Sequence, residues 1–330
     1  MLDTNVSPID SDALAGSIPT SAGTPGVVYR FAGDAYLLVE YGDAVLDLGL
    51  RFRAYLLEQE IQRAGIKGVA ETIPGVRSLL IKYNPLVLCA EKLVTILKEI
   101  ETVLPCADDV EVPSRLVHLP IAFHDRWTLD AIAKYRRSVR AEAPYLPDNA
   151  EFVARCNGLD NVEQVFEYLQ KSQIMIIGLG DVYLGAPCAV SLDPRYRLEA
   201  PKYNPARTYT CEGGVGIGGA FSCIYPMESP GGYQLVGRTL PIWNTWQATP
   251  DFKDAPWLFK FFDRIQFHAV SEDELLEKRD AMRRGDYRLK TEPGVFSMRQ
   301  YKAFTKEVRA EAGRFKARQK QAIVQCTKGY

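Results

Sequence analysis

Residues 212–239, EGGVGIGGAFSCIYPMESPGGYQLVGRT, place eight glycines among twenty-eight residues. Such a density suits a phosphate cradle or a flexible linker, yet Phe221, Ile224, Tyr225, Tyr233, Leu235 and Val236 stand between the glycines and belong in a packed core. The texture extends from Gln173 to Trp243 as short apolar segments broken by Gly and Pro, which argues for a closed β-barrel or sandwich. Glycines belong there where strands bend or where another backbone or a ligand comes close, and the aromatics are expected to fill the barrel interior. GGVGIGG is no dinucleotide fingerprint, because no helix pattern follows it, and the chain has no GxxxxGK[ST]. Its backbone N–H groups are available to an anion or a carbonyl.

Upstream, the hydrophobic period changes. GVVYRFAG and AYLLVEYG read as strands joined around Gly33-Asp34, and AVLDLGLRFRAYLLEQEIQRAG reads as an amphipathic helix stopped by Gly65. GVAETIPG and RSLLIKYN repeat the strand pair, and LVLCAEKLVTILKEIETVL the helix. The order β-β-α-β-β-α over residues 27–110 predicts an α+β domain with two helices on one face of a sheet. Residues 1–26, rich in Ser, Thr, Pro and Gly, are expected to be a disordered lead. Residues 111–250 are expected to hold the barrel with a helical insertion, TLDAIAKYRRSVRAEAP and NVEQVFEYLQKS, separated by a turn at LPDNAEF. Residues 251–330 read as a helical extension. It opens on the aromatic, apolar WLFKFFDRIQFHAV, continues in the helix SEDELLEKRDAMRRGDY, where Ser271 and Glu274 have capping-box spacing, and ends in one long basic helix from Ser297.

A net charge of −1 gives no electrostatic footprint for nucleic acid or a membrane surface, and neither is expected as a partner. No run approaches the ~20 apolar residues of a spanning helix, and the N-terminus lacks a secretory h-region. Seven cysteines without a CxxC pair are expected as reduced thiols of a cytoplasmic protein. Three dispersed histidines do not make a metal site, and no GxSxG elbow supports a nucleophilic serine.

The polar residues around the glycines are the candidate chemistry. Asp181 and Tyr183 sit in GLGDVYLG; Lys202, Asn204 and Arg207 in KYNPARTYT; Glu212 precedes the glycines; Glu228 stands in MESPGG; Gln234 and Arg238 follow in QLVGRT. Folded side by side, these segments would collect cations, carboxylates and amide or hydroxyl donors in one cleft beside Gly216, Gly218 and Tyr225. Such a cleft suits holding a carboxylate or oxyanion while a weak acid loses a proton.

Taken together, RFAGDAYLLVEYGD, IPGVRSLLIKYNP, VPSRLVHLP, GLGDVYLGAP, KYNPARTYT, VGIGGAFSCIYPMESPGGYQLVGRT and PWLFKFFDRIQFHAVSEDELL resemble the second half of the carboxyltransferase region of urea carboxylase, from about residue 28 to about residue 322. That half belongs to the wider KipI or allophanate hydrolase subunit 1 family. The resemblance implies an N-terminal α+β domain followed by a cyclophilin-like barrel, and transfer of a carboxyl group from carboxybiotin to urea or a related amide. By similarity, Lys202 and Arg207 would bind carboxylate or carbonyl, Glu212 or Asp181 would assist proton transfer, and Tyr183, Asn204, Gly216, Gly218, Tyr225, Glu228, Gln234 and Arg238 would bind substrate. Biotin is implied on a separate carrier, not on this chain, and ATP on a partner. The implied partners are a KipA-like second half, a biotin carrier and a biotin carboxylase. Gly213-Gly214 stand where this branch would have Asn-Ala, a departure that would enlarge the pocket or remove a contact. Two other functions remain open: a stand-alone, biotin-independent decarboxylase, lyase or cyclase acting on a small carbonyl compound in the same pocket, and a KipI-like inhibitory binding module.

Overall fold

A computed structural model describes residues 13–21, 23–180 and 183–328. The chain divides into two units with separate cores, one of residues up to Glu111 with Ser297–Gln300, the other of Val112–Phe296 with the residues from Tyr301 onward.

In the first unit, strands β1 (Leu14–Ile18), β2 (Val27–Phe31), β3 (Tyr36–Tyr41), β4 (Val69–Pro74) and β5 (Ser78–Tyr83) form an antiparallel sheet in the order β1-β2-β3-β5-β4. Alternation decides which face is buried: Leu37, Val39 and Tyr41 on β3 and Leu79, Ile81 and Tyr83 on β5 point to the core. Helices α1 (Leu48–Ala64) and α2 (Ala90–Val103) cover that face with Leu50, Ala54 and Leu57, and with Leu93 and Leu97. Asp47 caps α1, accepting from the Gly49 N–H at 2.7 Å, and Gly65 ends it at φ 57°. The β-β-α-β-β-α order is present. Strand β1 is a correction, since it lies in the stretch expected to be a disordered lead. Its sequence, LAGSI, offers too few large apolar residues to show a strand period, and it is ordered by pairing with β2.

The short strand β6 (Glu111–Pro113) leads to the second unit, which is built on a closed barrel. Strands β7 (Leu116–Phe123), β8 (Ile174–Leu179), β9 (Pro187–Ser191), β11 (Gly214–Gly218), β12 (Phe221–Ile224), β14 (Gln234–Thr239) and β15 (Arg264–Ala269) run in the order β14-β11-β12-β9-β8-β15-β7, and β7 closes the ring on β14. Closure removes the exposed sheet edge. Strands β10 (Arg207–Thr210) and β13 (Ser229–Gly231) pair outside the ring, and β16 (Thr291–Glu292) adds to β7. Alternate residues fill the interior: Val117, Leu119, Ile176, Val215, Ile217, Ile224, Ile265 and Phe267 belong to one core.

Helices α3 (Arg126–Ser138), α4 (Asn149–Cys156) and α5 (Val162–Lys171) lie between β7 and β8; α6 (Glu272–Arg284), α7 (Met298–Glu307) and α8 (Arg309–Cys326) follow β15. Four expectations are corrected here. LPDNAEF is no turn, because Asp148 accepts from the Ala150 and Glu151 N–H groups at 2.8 and 3.1 Å and starts α4. Strand β15, expected in a helical extension, is a barrel strand parallel to β7, and nothing local announces a pairing across nearly 150 residues. The long basic helix is interrupted at Val308, where ψ is 5°. Finally, Cys156 and Cys326, expected as thiols, are joined in a disulfide between the last residues of α4 and α8, 170 residues apart in sequence. No described helix is long and apolar enough to cross a membrane.

Candidate active site

The interleaving of glycine and aromatic residues follows from the barrel wall. On β11, Val215 and Ile217 point inward, so Gly216 and Gly218 present bare backbone outward. A Cβ on Gly216 would stand 2.8 Å from the Tyr233 Cβ, and one on Gly218 would stand 2.5 Å from its Cδ1. The Tyr233 ring therefore lies directly on the strand, where no side chain leaves room for it. The expectation that the interleaved aromatics fill the barrel interior is corrected: Tyr233 and Tyr225 lie outside it, and mainly aliphatic side chains, with Phe267, fill the interior.

Against this wall lies a cavity of about 320 Å³. Its floor and sides come from Cys188 and Cys223 on the barrel, Tyr225 and Tyr233 beside it, and Lys202 and Tyr203 from the preceding loop. The loop is clamped in several places. The Tyr203 N–H donates to the Gly232 carbonyl at 2.7 Å, and the Tyr203 hydroxyl to Asn149 Oδ1 at 2.8 Å. The Tyr135 hydroxyl donates to the Pro205 carbonyl at 3.0 Å, and Arg140 to the Asn204 carbonyl at 2.8 Å. Tyr183 closes another side, its hydroxyl donating to the Pro230 carbonyl at 2.9 Å.

Lys202 is the cation among the described lining residues, with its Nζ 5.0 Å from the Tyr233 ring centre. No carboxylate occurs among the described lining residues. Arg207 is 1 % exposed and lies behind the wall. Its guanidinium donates to the Tyr233 carbonyl at 2.6 Å, to Thr210 Oγ1 at 3.2 Å and to the Tyr225 hydroxyl at 3.5 Å, and stacks 4.4 Å from the Tyr203 ring centre. One arginine thus fixes three of the tyrosines that shape the cavity. Burial pushes the Tyr225 phenol up to about 12, only partly offset by Arg207, so it stays a hydrogen-bond donor at neutral pH.

The single cleft expected from sequence is divided. Glu212 and Arg238 lie in a second cluster. Glu212 accepts from Arg279 at 2.7 Å and Arg283 at 3.1 Å, while Arg238 donates to the Glu212 carbonyl at 2.8 Å and stacks 4.5 Å from the Trp127 ring centre. Burial lowers Arg279 to about 10 and raises the neighbouring Cys211 thiol to about 12. Gly213, at φ 79°, is here too. A Cβ on it would meet Arg279 Nη1 and the Thr239 carbonyl oxygen at 2.6 Å each, so its missing side chain makes room for Arg279 and does not enlarge the cavity. Gln234 is wholly buried, with Nε2 donating to the Pro201 carbonyl at 2.7 Å and Oε1 without a partner among the described residues. Asn204 takes part through its main chain, and exposed Glu228 accepts from the Tyr209 hydroxyl at 3.2 Å. Asp181 lies outside the described residues. Sequence reasoning missed Trp127, Arg279, Cys188 and Cys223, which are distant in the chain from the motifs they meet.

The barrel carries an aromatic chamber on its outer wall, with one lysine and no carboxylate among the described lining residues, a concave and largely apolar site of the kind that takes a small molecule. The chain belongs to the family described as the carboxyltransferase domain, subdomains C and D, which matches residues 27–253. It is 41% identical over 278 residues to urea amidolyase of Saccharomyces cerevisiae, covering 84% of this chain and 15% of that protein. It is 36% identical over 323 residues to a putative urea carboxylase of Emericella nidulans, covering 94% of this chain and 26% of the other. The crystal structure of Kluyveromyces lactis urea carboxylase superposes with a TM-score of 0.87 at 37% identity, over 95% of this chain and 28% of that one. The chain thus spans well under a third of the length of these relatives.

Proposed function

We propose that this chain is the part of a urea carboxylase-type carboxyltransferase that holds the carboxyl group and its acceptor amide during transfer. The carrying observation is the Lys202 chamber in a chain of this family. A lysine on an apolar aromatic wall attracts a carboxylate more strongly than one in open water, because the walls lower the local dielectric. The chamber's size suits a compact ureido ring or a urea-sized amide, and its aromatic walls suit the ring faces. Biotin on a separate carrier would bring the carboxyl group, with ATP consumed on a biotin carboxylase partner and a KipA-like half completing the site.

In this reading, Lys202 binds and neutralises the carboxylate, and the Tyr183 and Tyr225 hydroxyls orient carbonyl oxygens. Tyr203 and Tyr233 exclude water, and Arg207 positions the tyrosines. Asp181, two residues before Tyr183, is proposed to take the proton from the acceptor N–H. Glu212 is occupied by two arginines and is proposed to be structural.

The test combines the purified chain with the KipA-like half, biotin carboxylase and biotinylated carrier, and follows ATP-dependent incorporation of labelled bicarbonate into a urea product. Incorporation is expected only with all components, and Lys202→Ala is expected to lower kcat/KM by about 100-fold. Turnover of a small carbonyl compound by the chain alone, without ATP or biotin, would instead support a biotin-independent decarboxylase, lyase or cyclase. Full incorporation by Lys202→Ala would remove the chamber from the mechanism, and lasting inhibition of a partner kinase without turnover would support an inhibitory module.

A further inference from the structure

Two thiols face each other on the wall of the chamber. Strands β9 and β12 are antiparallel with Ser222 opposite Ala189, so one step along each strand in opposite directions sets Cys223 opposite Cys188. Side chains directly opposite in an antiparallel pair share a face, with Cβ atoms about 4.5–5.5 Å apart. Both residues line the same cavity, which confirms that shared face. The row continues on either side with glycine: Gly178 of β8 is opposite Cys188, and Gly216 of β11 is opposite Cys223. The pair is thus flanked by strand positions that carry no side chain.

We propose that Cys188 and Cys223 are a reactive dithiol that closes to a reversible disulfide in the chamber wall by exchange with a small-molecule disulfide. A disulfide joins Cβ atoms about 3.5–4.5 Å apart, so closure asks for an approach of about 1 Å between neighbouring strands. Both residues are partly exposed and line the same cavity, which gives the oxidant access. Cys211 is the contrasting case: it is buried, with its thiol pushed up to about 12, and stays inert.

In the first step one cysteine thiolate attacks the small disulfide, whose S–S bond breaks and releases one small thiolate that takes up a proton. In the second, the facing thiolate attacks the cysteine sulfur of the mixed disulfide and expels the other small thiolate, which is protonated in turn. Two cysteine thiols are oxidised and one small disulfide is reduced to two thiols. The inference stands on strand register and the cavity, and does not rest on the carboxyl-transfer reading.

The full chain is incubated with oxidised glutathione, digested without reductant and analysed by mass spectrometry. The expected product is the peptide carrying Cys188 linked to the peptide carrying Cys223, lighter by two hydrogens, with fragmentation placing the bond at Cys223 and not at Cys211. In parallel, phenylarsine oxide, a reagent that bridges two close thiols, is expected to stay bound at one equivalent per chain through a monothiol wash and to leave with a dithiol. Cys188→Ser and Cys223→Ser are each expected to abolish that retention. A stable glutathione adduct on either cysteine without cross-linking, a bond to Cys211, or unchanged arsenical retention in both variants would overturn the proposal. The mapped cross-link is measured on the unsubstituted chain, so it decides the question even if a variant misfolds.

Discussion

Arg207 and Arg238 of the barrel unit both stack on aromatic rings, and their surroundings differ. Arg238, on Trp127, belongs to a cluster in which Glu212 answers Arg279 and Arg283, so charge meets charge. Arg207, on Tyr203, spends its donors on a carbonyl and two hydroxyls, and the cation left to the adjoining cavity is Lys202, with no carboxylate among the described lining residues. Charge density does not mark the candidate site. A cation on an apolar wall, with no carboxylate among the described lining residues, does, because such a group has electrostatic attraction left for a ligand.

Substitutions at these positions break or sharpen that contrast. Arg207→Ala is expected to cost about 3–4 kcal/mol, since it strands the Tyr233 carbonyl and Thr210 hydroxyl and opens a void under Tyr203. Chemical denaturation reads the loss, and a cost below ~1 kcal/mol would show that Arg207 does not hold the wall. Gly218→Ala is expected to cost about 1–3 kcal/mol, because its Cβ would push Tyr233 off the strand. Arg238→Ala is expected to cost about 2 kcal/mol while leaving ligand affinity in the chamber unchanged. Weakened affinity there would join the two clusters into one functional unit. Lys202→Ala inverts the pattern: its side chain is exposed, so stability is expected to move by less than ~0.5 kcal/mol while carboxyl transfer falls.

The same division explains how much was legible beforehand. Strands β2 to β5 and helices α1 and α2 were readable because each shows its own period and stop signals, such as Gly33 and Gly65, within a few residues. Lys202 and Arg207 were readable as candidates because they crowd one short segment beside the glycines. What stayed hidden depends on pairings between distant segments. Glu212 follows Arg207 by five residues, yet its charge is answered by Arg279 and Arg283, two turns of a helix some seventy residues away. Cys188 and Cys223 become neighbours only through the β9–β12 register, and Cys156 finds Cys326 only because α8 returns to α4. Local composition lists the charged groups, but closure of the barrel decides which of them neutralise one another.

A small, pH-dependent effect tests a contact that takes part in neither cluster's charge pairing. His124, at φ 50° after β7, lies 3.1 Å from Asp148, the residue that caps α4 and so helps place Asn149 under Tyr203. Hydrogen bonding to Asp148 raises the imidazole pKa above its ordinary 6.5, against a smaller opposing effect of burial. The folded protein therefore holds this proton more tightly than the unfolded chain. The stabilisation is complete below pH 6.5 and fades as pH rises through the higher folded value. The pair is partly solvated, so the change is expected to stay under ~1 kcal/mol. His124→Gln should flatten this part of the stability–pH curve. If the wild-type curve instead rises with pH across that window, the His124–Asp148 pair is not what joins β7 to α4. Tyr203 would then be held without that pair, by Asn149, whose Oδ1 accepts from both the Tyr203 hydroxyl at 2.8 Å and the Leu235 N–H at 2.9 Å, by the Gly232 carbonyl and by Arg207.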